Sequence, residues 1–187
     1  NTSLGVSSRT TSGGIGWQDW FIGPGCESAF ISFDNPADPQ YIYGGCYQGN
    51  IEVLDIKTGT TKDVMAYPHI GLGVKPNTQK YRFNWNAPIV ASPFENGTIY
   101  HGGNVVLKSS DNGISWKEIS GDLTRNEKSK QENGGGPYTS EGAGGEVYNT
   151  LQYIAVSPHK PGVLWTGSDC GLVHVTQDDG KSWQNVT

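Results

Sequence analysis

Apolar and polar positions alternate in short runs along this chain. Val105–Ser109 (VVLKS) and Leu172–Thr176 (LVHVT) turn successive side chains to opposite faces, which is the period of a β-strand. Three segments align around such runs. AFISFDNPADPQYIYGGCYQGNIEVLDIKTGTTKDVM starts at Ala29, PIVASPFENGTIYHGGNVVLKSSDNGISWKEIS at Pro88 and YIAVSPHKPGVLWTGSDCGLVHVTQDDGKSWQNV at Tyr153. Each opens on an apolar strand and a turn. A second strand follows, IYGG from Ile42, IYHG from Ile99 and LWTG from Leu164. Its aromatic (Tyr43, Tyr100, Trp165) precedes a glycine two residues on (Gly45, Gly102, Gly167). A third strand runs into a turn and a fourth leaves it. Four short antiparallel strands in roughly 40 residues is the pattern of a propeller blade.

The expected fold is therefore an all-β propeller of four-stranded antiparallel blades, about three of them in this chain. Residues 1–26 read as a lead-in from a preceding blade, 27–68 as a blade, and 85–124 as a second blade. Residues 125–149 read as a Gly-rich insertion and 150–187 as a third blade. The connections are long: Tyr67–Asn84, and Gly121–Asn149 with its stretch NGGGPYTSEGAGG. In a propeller both connections, and the loops at Cys46–Asn50 and Ser168–Gly171, gather at one end. Long loops on a rigid scaffold are where binding tends to sit.

One octapeptide marks the junction of third and fourth strands twice, SSDNGISW at Ser109–Trp116 and TQDDGKSW at Thr176–Trp183. Each position has a structural task. Asp111 and Asp178 are placed to accept backbone N–H groups about two residues on, and Gly113 and Gly180 to take a positive φ. Ser109 and Thr176 end a strand. Trp116 and Trp183 start one and bring an apolar plug with a single donor. The first repeat has only DIKTGTT, with Asp55 and Gly59. The calcium reading fails, because such loops need alternating carboxylates and a distal bidentate Glu. The turn lies opposite the long insertions, so it reads as a clamp rather than a site.

Composition fits strands joined by tight turns. Of 187 residues 27 are Gly, six are Trp and nine are Tyr, while charged residues make up 17%. A net charge of −5 leaves no nucleic-acid footprint. The one basic run, TRNEKSK (Thr124–Lys130), is broken by Glu127. No apolar run approaches the ~20 residues of a membrane span. The chain begins at Asn1 and ends inside what reads as a strand, so a processed chain or part of a longer one is expected. Cys26, Cys46 and Cys170 match no zinc spacing. Cys26 and Cys46 can pair at the same end of the first blade, leaving Cys170. Sequons at Asn1, Asn96 and Asn185, with few lysines, lean toward an exported, extracellular or periplasmic protein.

The octapeptide resembles the Asp-box, or BNR repeat, of sialidases, xyloglucanase-like glycoside hydrolases, sortilin-type ectodomains and photosystem-assembly propellers. A wider likeness is carried by SRTTSGGIGWQDWF, DNPADPQYIYGGCYQGNI, YRFNWNAPI, YHGGNVVLKSSDNGISW, ISGDLTRN and GSDCGLVHVTQDDGKSWQNVT. These resemble exported bacterial propellers labelled "glycosyl hydrolase, BNR repeat" or sortilin-like. The resemblance implies further blades on both sides and no particular activity, since the shared motif is the structural turn.

An enzyme has weak support. The sialidase-type clamp needs three arginines on one carboxylate, and this chain has only Arg9, Arg82 and Arg125 without the family's lead-in. A glycosidase needs two facing acids. Asp19, Glu27, Glu141, Glu146 and Asp169 are candidates, and their spacing selects no pair. His69, His101, His159 and His174 are scattered, with no nucleophile elbow. No metal or cofactor is expected. The candidate ligand face is Trp17, Asp19, Trp20, Tyr81, Arg82 and Trp85, whose aromatics either stack on a ligand or pack the core. The leading expectation is a non-catalytic module binding a protein, peptide or glycan at its loop-rich end. The alternatives are a glycoside hydrolase whose acids come partly from other blades, and a structural subunit. Three blades cannot close a ring of four to eight, so further blades are the expected partners.

Overall fold

The computed structural model describes residues 2–27, 30–69, 71, 73–132 and 147–187. The Gly-rich stretch with Glu141 and Glu146, and Asn1 of the first sequon, lie outside the described residues. The architecture is all-β. The first sheet holds β3 (Ile31–Phe33), β4 (Tyr41–Cys46), β5 (Asn50–Asp55) and β6 (Thr60–Asp63). The second holds β7 (Ile89–Ala91), β8 (Ile99–Gly102), β9 (Val106–Ser109) and β10 (Lys117–Glu118). The third holds β11 (Leu151–Val156), β12 (Leu164–Ser168), β13 (Val173–Thr176) and β14 (Gln184–Asn185). Every neighbouring pair is antiparallel and follows chain order.

The three sheets stack as propeller blades. Innermost strands stand side by side, β3 against β7 and β7 against β11, and β4 and β8 each meet the next sheet's innermost strand. A blade is apolar on both faces, so its burial comes from its neighbours. Tyr43, Ile51, Val53 and Val64 of the first sheet close on Ile89 and Ile99 of the second. Tyr100, Val106 and Leu123 close in turn on Leu151, Ile154 and Leu164 of the third. Each large apolar side chain so enclosed contributes about 1.5–3 kcal/mol relative to exposure. The alternation of VVLKS does not divide core from solvent. Val106, Leu107 and Ser109 are all buried, because the second sheet is covered on both faces. The outward face of the third sheet is open, and Val173 on that face is exposed.

The lead-in forms a hairpin of β1 (Leu4–Val6) and β2 (Trp20–Ile22), with Leu4 opposite Ile22 and Val6 opposite Trp20. Its register repeats the outer pair of a blade. The Gly23 N–H donates to the Ser3 carbonyl, as Val64 does to Ile51, Ile119 to Val106 and Val186 to Val173, all at 2.8–3.0 Å. Among the described residues this hairpin pairs with no inner strands. Just beyond β2, Cys26 is disulfide-bonded to Cys46 at the end of β4. Closing a loop of this size restricts the unfolded chain by about 3 kcal/mol.

His101 sits at the centre of the stack. It is fully buried on β8, its Nδ1–H donates to the Pro88 carbonyl at 3.0 Å, and its ring stacks on Phe83 at 4.8 Å. Burial pushes its pKa from 6.5 down to about 4, against the opposing pull of backbone carbonyls. Between those values the unfolded chain takes up a proton that the folded chain refuses, so stability present above pH 6.5 falls as the pH drops toward 4. Denaturant unfolding across this range should show that slope, and His101→Phe should flatten it. An unchanged slope in the variant would contradict a neutral, buried imidazole.

Candidate functional site

The two octapeptides fold identically. The Ser109 hydroxyl donates to Asp111 Oδ1 at 2.8 Å and accepts the Gly113 N–H at 2.9 Å. Asp111 then reaches four residues forward, accepting the Ser115 N–H at 2.8 Å and the Ser115 hydroxyl at 2.6 Å. Thr176, Asp178, Gly180 and Ser182 repeat this set at 2.6–3.0 Å. The carboxylate therefore spans the turn rather than closing it two residues on, and the hydroxyl at the first position serves the nearer amide. Asn112 and Gly113 both take positive φ, 60° and 86°, as do Asp179 and Gly180. A Cβ on Gly180 would also sit 2.5 Å from the Ile119 carbonyl oxygen, so glycine is required there twice over.

The remaining groups of the octapeptide leave their own sheet. The Trp116 indole N–H donates to the Val64 carbonyl of the first sheet at 2.9 Å. The Trp183 indole donates to the Ile119 carbonyl of the second at 2.8 Å. In the opposite direction the Tyr43 hydroxyl donates to Asn112 Oδ1 at 2.7 Å, and the Tyr100 hydroxyl to Asp179 Oδ1 at 3.3 Å. Lys108 adds an ion pair to Asp179 at 2.7 Å. Each turn is thus a two-way bolt between adjacent sheets. The aromatic shared by Tyr43 and Tyr100 was visible in the repeat. Its partner was not, because Asn112 and Asp179 differ in type, and the tryptophan acceptors are backbone carbonyls.

The six candidate ligand-face residues divide into two groups. Tyr81, Arg82 and Trp85 lie on the connection between the first and second sheets. Arg82 does not present to a ligand: it is 3% exposed and pairs with Asp122 at 2.6 Å. It also donates to Thr124 Oγ1 and the Asn149 carbonyl, tying both long connections together. Burial pushes the Asp122 carboxyl up, but hydrogen bonds from Thr124 and Arg82 outweigh it and hold it below its ordinary value. Tyr81 is also buried, and its hydroxyl donates to Glu118. Its ring carries an edge contact outward to Tyr67 at 5.4 Å, and Lys80 lies 4.7 Å from its centroid. Trp85 is half-buried against Tyr47. Among the described residues of this end, Tyr67, His69, Gln48 and Gln79 line a shallow depression of about 10 Å³.

The other group lies on the hairpin. Trp17, Asp19 and Trp20 occupy the turn at the far end of β2 from the disulfide. Asp19 accepts the Gly16 N–H at 2.7 Å and shapes that turn. Trp17 is 92% exposed, and with Leu4, Ile15, Trp20, Phe21 and Ile22 it lines an open apolar groove of about 600 Å³. Acids at the loop-rich end are engaged structurally. Asp169 accepts the Thr150 N–H and hydroxyl, and burial nonetheless pushes its carboxyl up. Glu52 accepts the Gly25 N–H. Among the described residues no cluster of His, Cys, Asp and Glu is arranged to hold a metal ion, and no helix is long and apolar enough to cross a membrane.

No protein-family model and no curated protein matches the chain. Several solved structures do. A YCF48 protein bound to D1 peptide is 18% identical with a TM-score of 0.48, over 84% of this chain and 40% of that one. YCF48 from Cyanidioschyzon merolae is 16% identical with a TM-score of 0.45, over 85% and 40%. The GH74 xyloglucanase from Xanthomonas campestris is 16% identical with a TM-score of 0.48, over 84% and 23%. The chain thus spans less than half the length of each. The propeller fold itself is evident from the sheet order and the packing of the inner strands.

The turn geometry has an acid signature. Bonds from the Ser182 hydroxyl and N–H hold Asp178 down to about 2. Its stabilising contribution is present above its ordinary 3.8 and is lost as the pH falls through 2. Carbon-detected NMR should find Asp178 titrating near 2, and Ser182→Ala should raise that midpoint toward 3.8. A midpoint that ignores the substitution would contradict the bonded turn.

Proposed function

We propose that this chain belongs to an exported β-propeller of the Asp-box type and works as a non-catalytic module. Its loop-rich end binds a protein or peptide partner. The observation that carries this reading is the shape of that end among the described residues. It offers Tyr67, His69 and the side chains of Gln48 and Gln79 around a depression of about 10 Å³, with Lys80 over the Tyr67 ring and Trp85, against Tyr47, further along the same connection. Small-molecule sites enclose about 300–1,000 Å³. A shallow aromatic surface with amide groups suits a broad macromolecular contact instead. The nearby acids Asp122, Asp169 and Glu52 already serve Arg82, Thr150 and Gly25, which favours binding over general acid–base work. The Cys26–Cys46 disulfide suits an oxidising compartment. The exposed apolar groove on the β1–β2 hairpin supports further blades beside these three.

The full chain should enrich binding peptides from a displayed library. Tyr67→Ala and Trp85→Ala should weaken them at least about tenfold, the loss expected of an aromatic anchor. The same protein should release no reducing sugar from xyloglucan and no sialic acid from sialyllactose. Sugar release, or peptide binding indifferent to both substitutions, would overturn the reading.

A further inference from the structure

The repeat places three equivalent residues on the face that each sheet turns to its successor. In the first sheet they are Tyr43, Ile51 and Val64, exposed by 0%, 1% and 7%. In the second they are Tyr100 and Val106, at 3% and 0%, with half-buried Ile119. In the third they are Trp165, Val173 and Val186, at 46%, 37% and 39%. The equivalence is one of register. Tyr43, Tyr100 and Trp165 pair with Val53, Lys108 and Val175, and the third member always donates its N–H to the second's carbonyl. On the first two faces the cover is the same device: a tryptophan donates to the third member's carbonyl while an Asn or Asp accepts from the first member's hydroxyl. On the third face, Val186 and Trp165 hold the registers of that acceptor and donor, with a backbone carbonyl and an indole N–H as their polar groups.

We propose that the outward face of the third sheet is a docking surface for a further four-stranded blade carrying an octapeptide turn of the form Ser/Thr-x-Asp-Asn/Asp-Gly-x-Ser-Trp. Its tryptophan donates to the Val186 carbonyl. Its Asn or Asp accepts from the Trp165 indole. This rests on reading the three sheets as part of a larger propeller, and it specifies what the next blade must carry. A second copy of this chain fits less well. Its first sheet has Thr61, opposite Leu54 in the ladder, where the tryptophan is required. Its hairpin has Trp20 in that register but no inner pair of strands among the described residues.

The face can be tested by extending the full chain. Ile119 and Val186 are equivalent, so repeating residues 121–187 after Thr187 adds a fourth blade through the natural connection. Hydroxyl-radical labelling of Trp165 and hydrogen exchange at Val173 report on the face. Labelling of Trp165 should fall several-fold relative to the natural chain. Replacing the appended copy's tryptophan by Phe, which keeps the plug and removes the donor, should restore part of it. Unchanged labelling with a folded appended blade would overturn the proposal. So would an appended blade that stays unprotected, since the face would then fail to hold a blade built to fit it. Concentration-dependent protection of Trp165 in the natural chain would overturn it in favour of a second copy. None of these readouts involves peptide binding. A docked fourth blade on a chain that binds no peptide would sink only the ligand reading, and the reverse result only the docking.

Discussion

An indole N–H reaching a backbone carbonyl on the neighbouring sheet is the contact on which this structure turns. Trp116 and Trp183 each start the outermost strand of one sheet and close on the carbonyl that ends the outermost strand of the previous one. Such a hydrogen bond contributes only about 1 kcal/mol net, and the geometry it enforces matters more. The indole can reach Val64 or Ile119 only if its own turn is closed. The Asp111 and Asp178 carboxylates close it by spanning four residues. Turn formation and sheet stacking are therefore one event, and the acid, the hydroxyls and the glycine of the octapeptide all serve that end.

The same logic divides the molecule into two ends. The octapeptide end is held by local bonds within turns and by paired bolts between sheets. The loop-rich end is held by long-range polar ties. Arg82 joins Asp122, Thr124 and Asn149, and Asn149 in turn accepts from Glu127 and Gln131. These ties join the described parts of the two long connections. Among the described residues they leave Tyr67, His69, Gln48 and Gln79 around a shallow depression, the feature on which the proposed binding role rests.

Much of the fold was legible because blades repeat. Strands appeared where IYGG, IYHG and LWTG recurred, and the octapeptide marked its junction because a turn with two positive-φ residues tolerates few sequences. The disulfide was legible as a pairing option, since Cys26 and Cys46 fall at the same end of the first blade. Other features were hidden for physical reasons. Arg82 looked like a surface cation because its partner Asp122 is distant in sequence. Asp19 looked like a site acid, whereas it accepts a hydrogen bond from an amide three residues before it. Face alternation misled in VVLKS because a blade between two others has no solvent side. The cross-sheet acceptors Val64 and Ile119 carry no side-chain signature, because the group that matters in each is the carbonyl.

The central claim is that tryptophans of the octapeptide bolt each sheet to the one before it. Indole N–H exchange, resolved by NMR for each tryptophan, reads this directly. The Trp116 and Trp183 indole protons should exchange slowly, as hydrogen-bonded and shielded groups, while that of Trp17, at 92% exposure, should exchange at the rate of a free indole. Equal, fast exchange at all three in the folded chain would contradict the account.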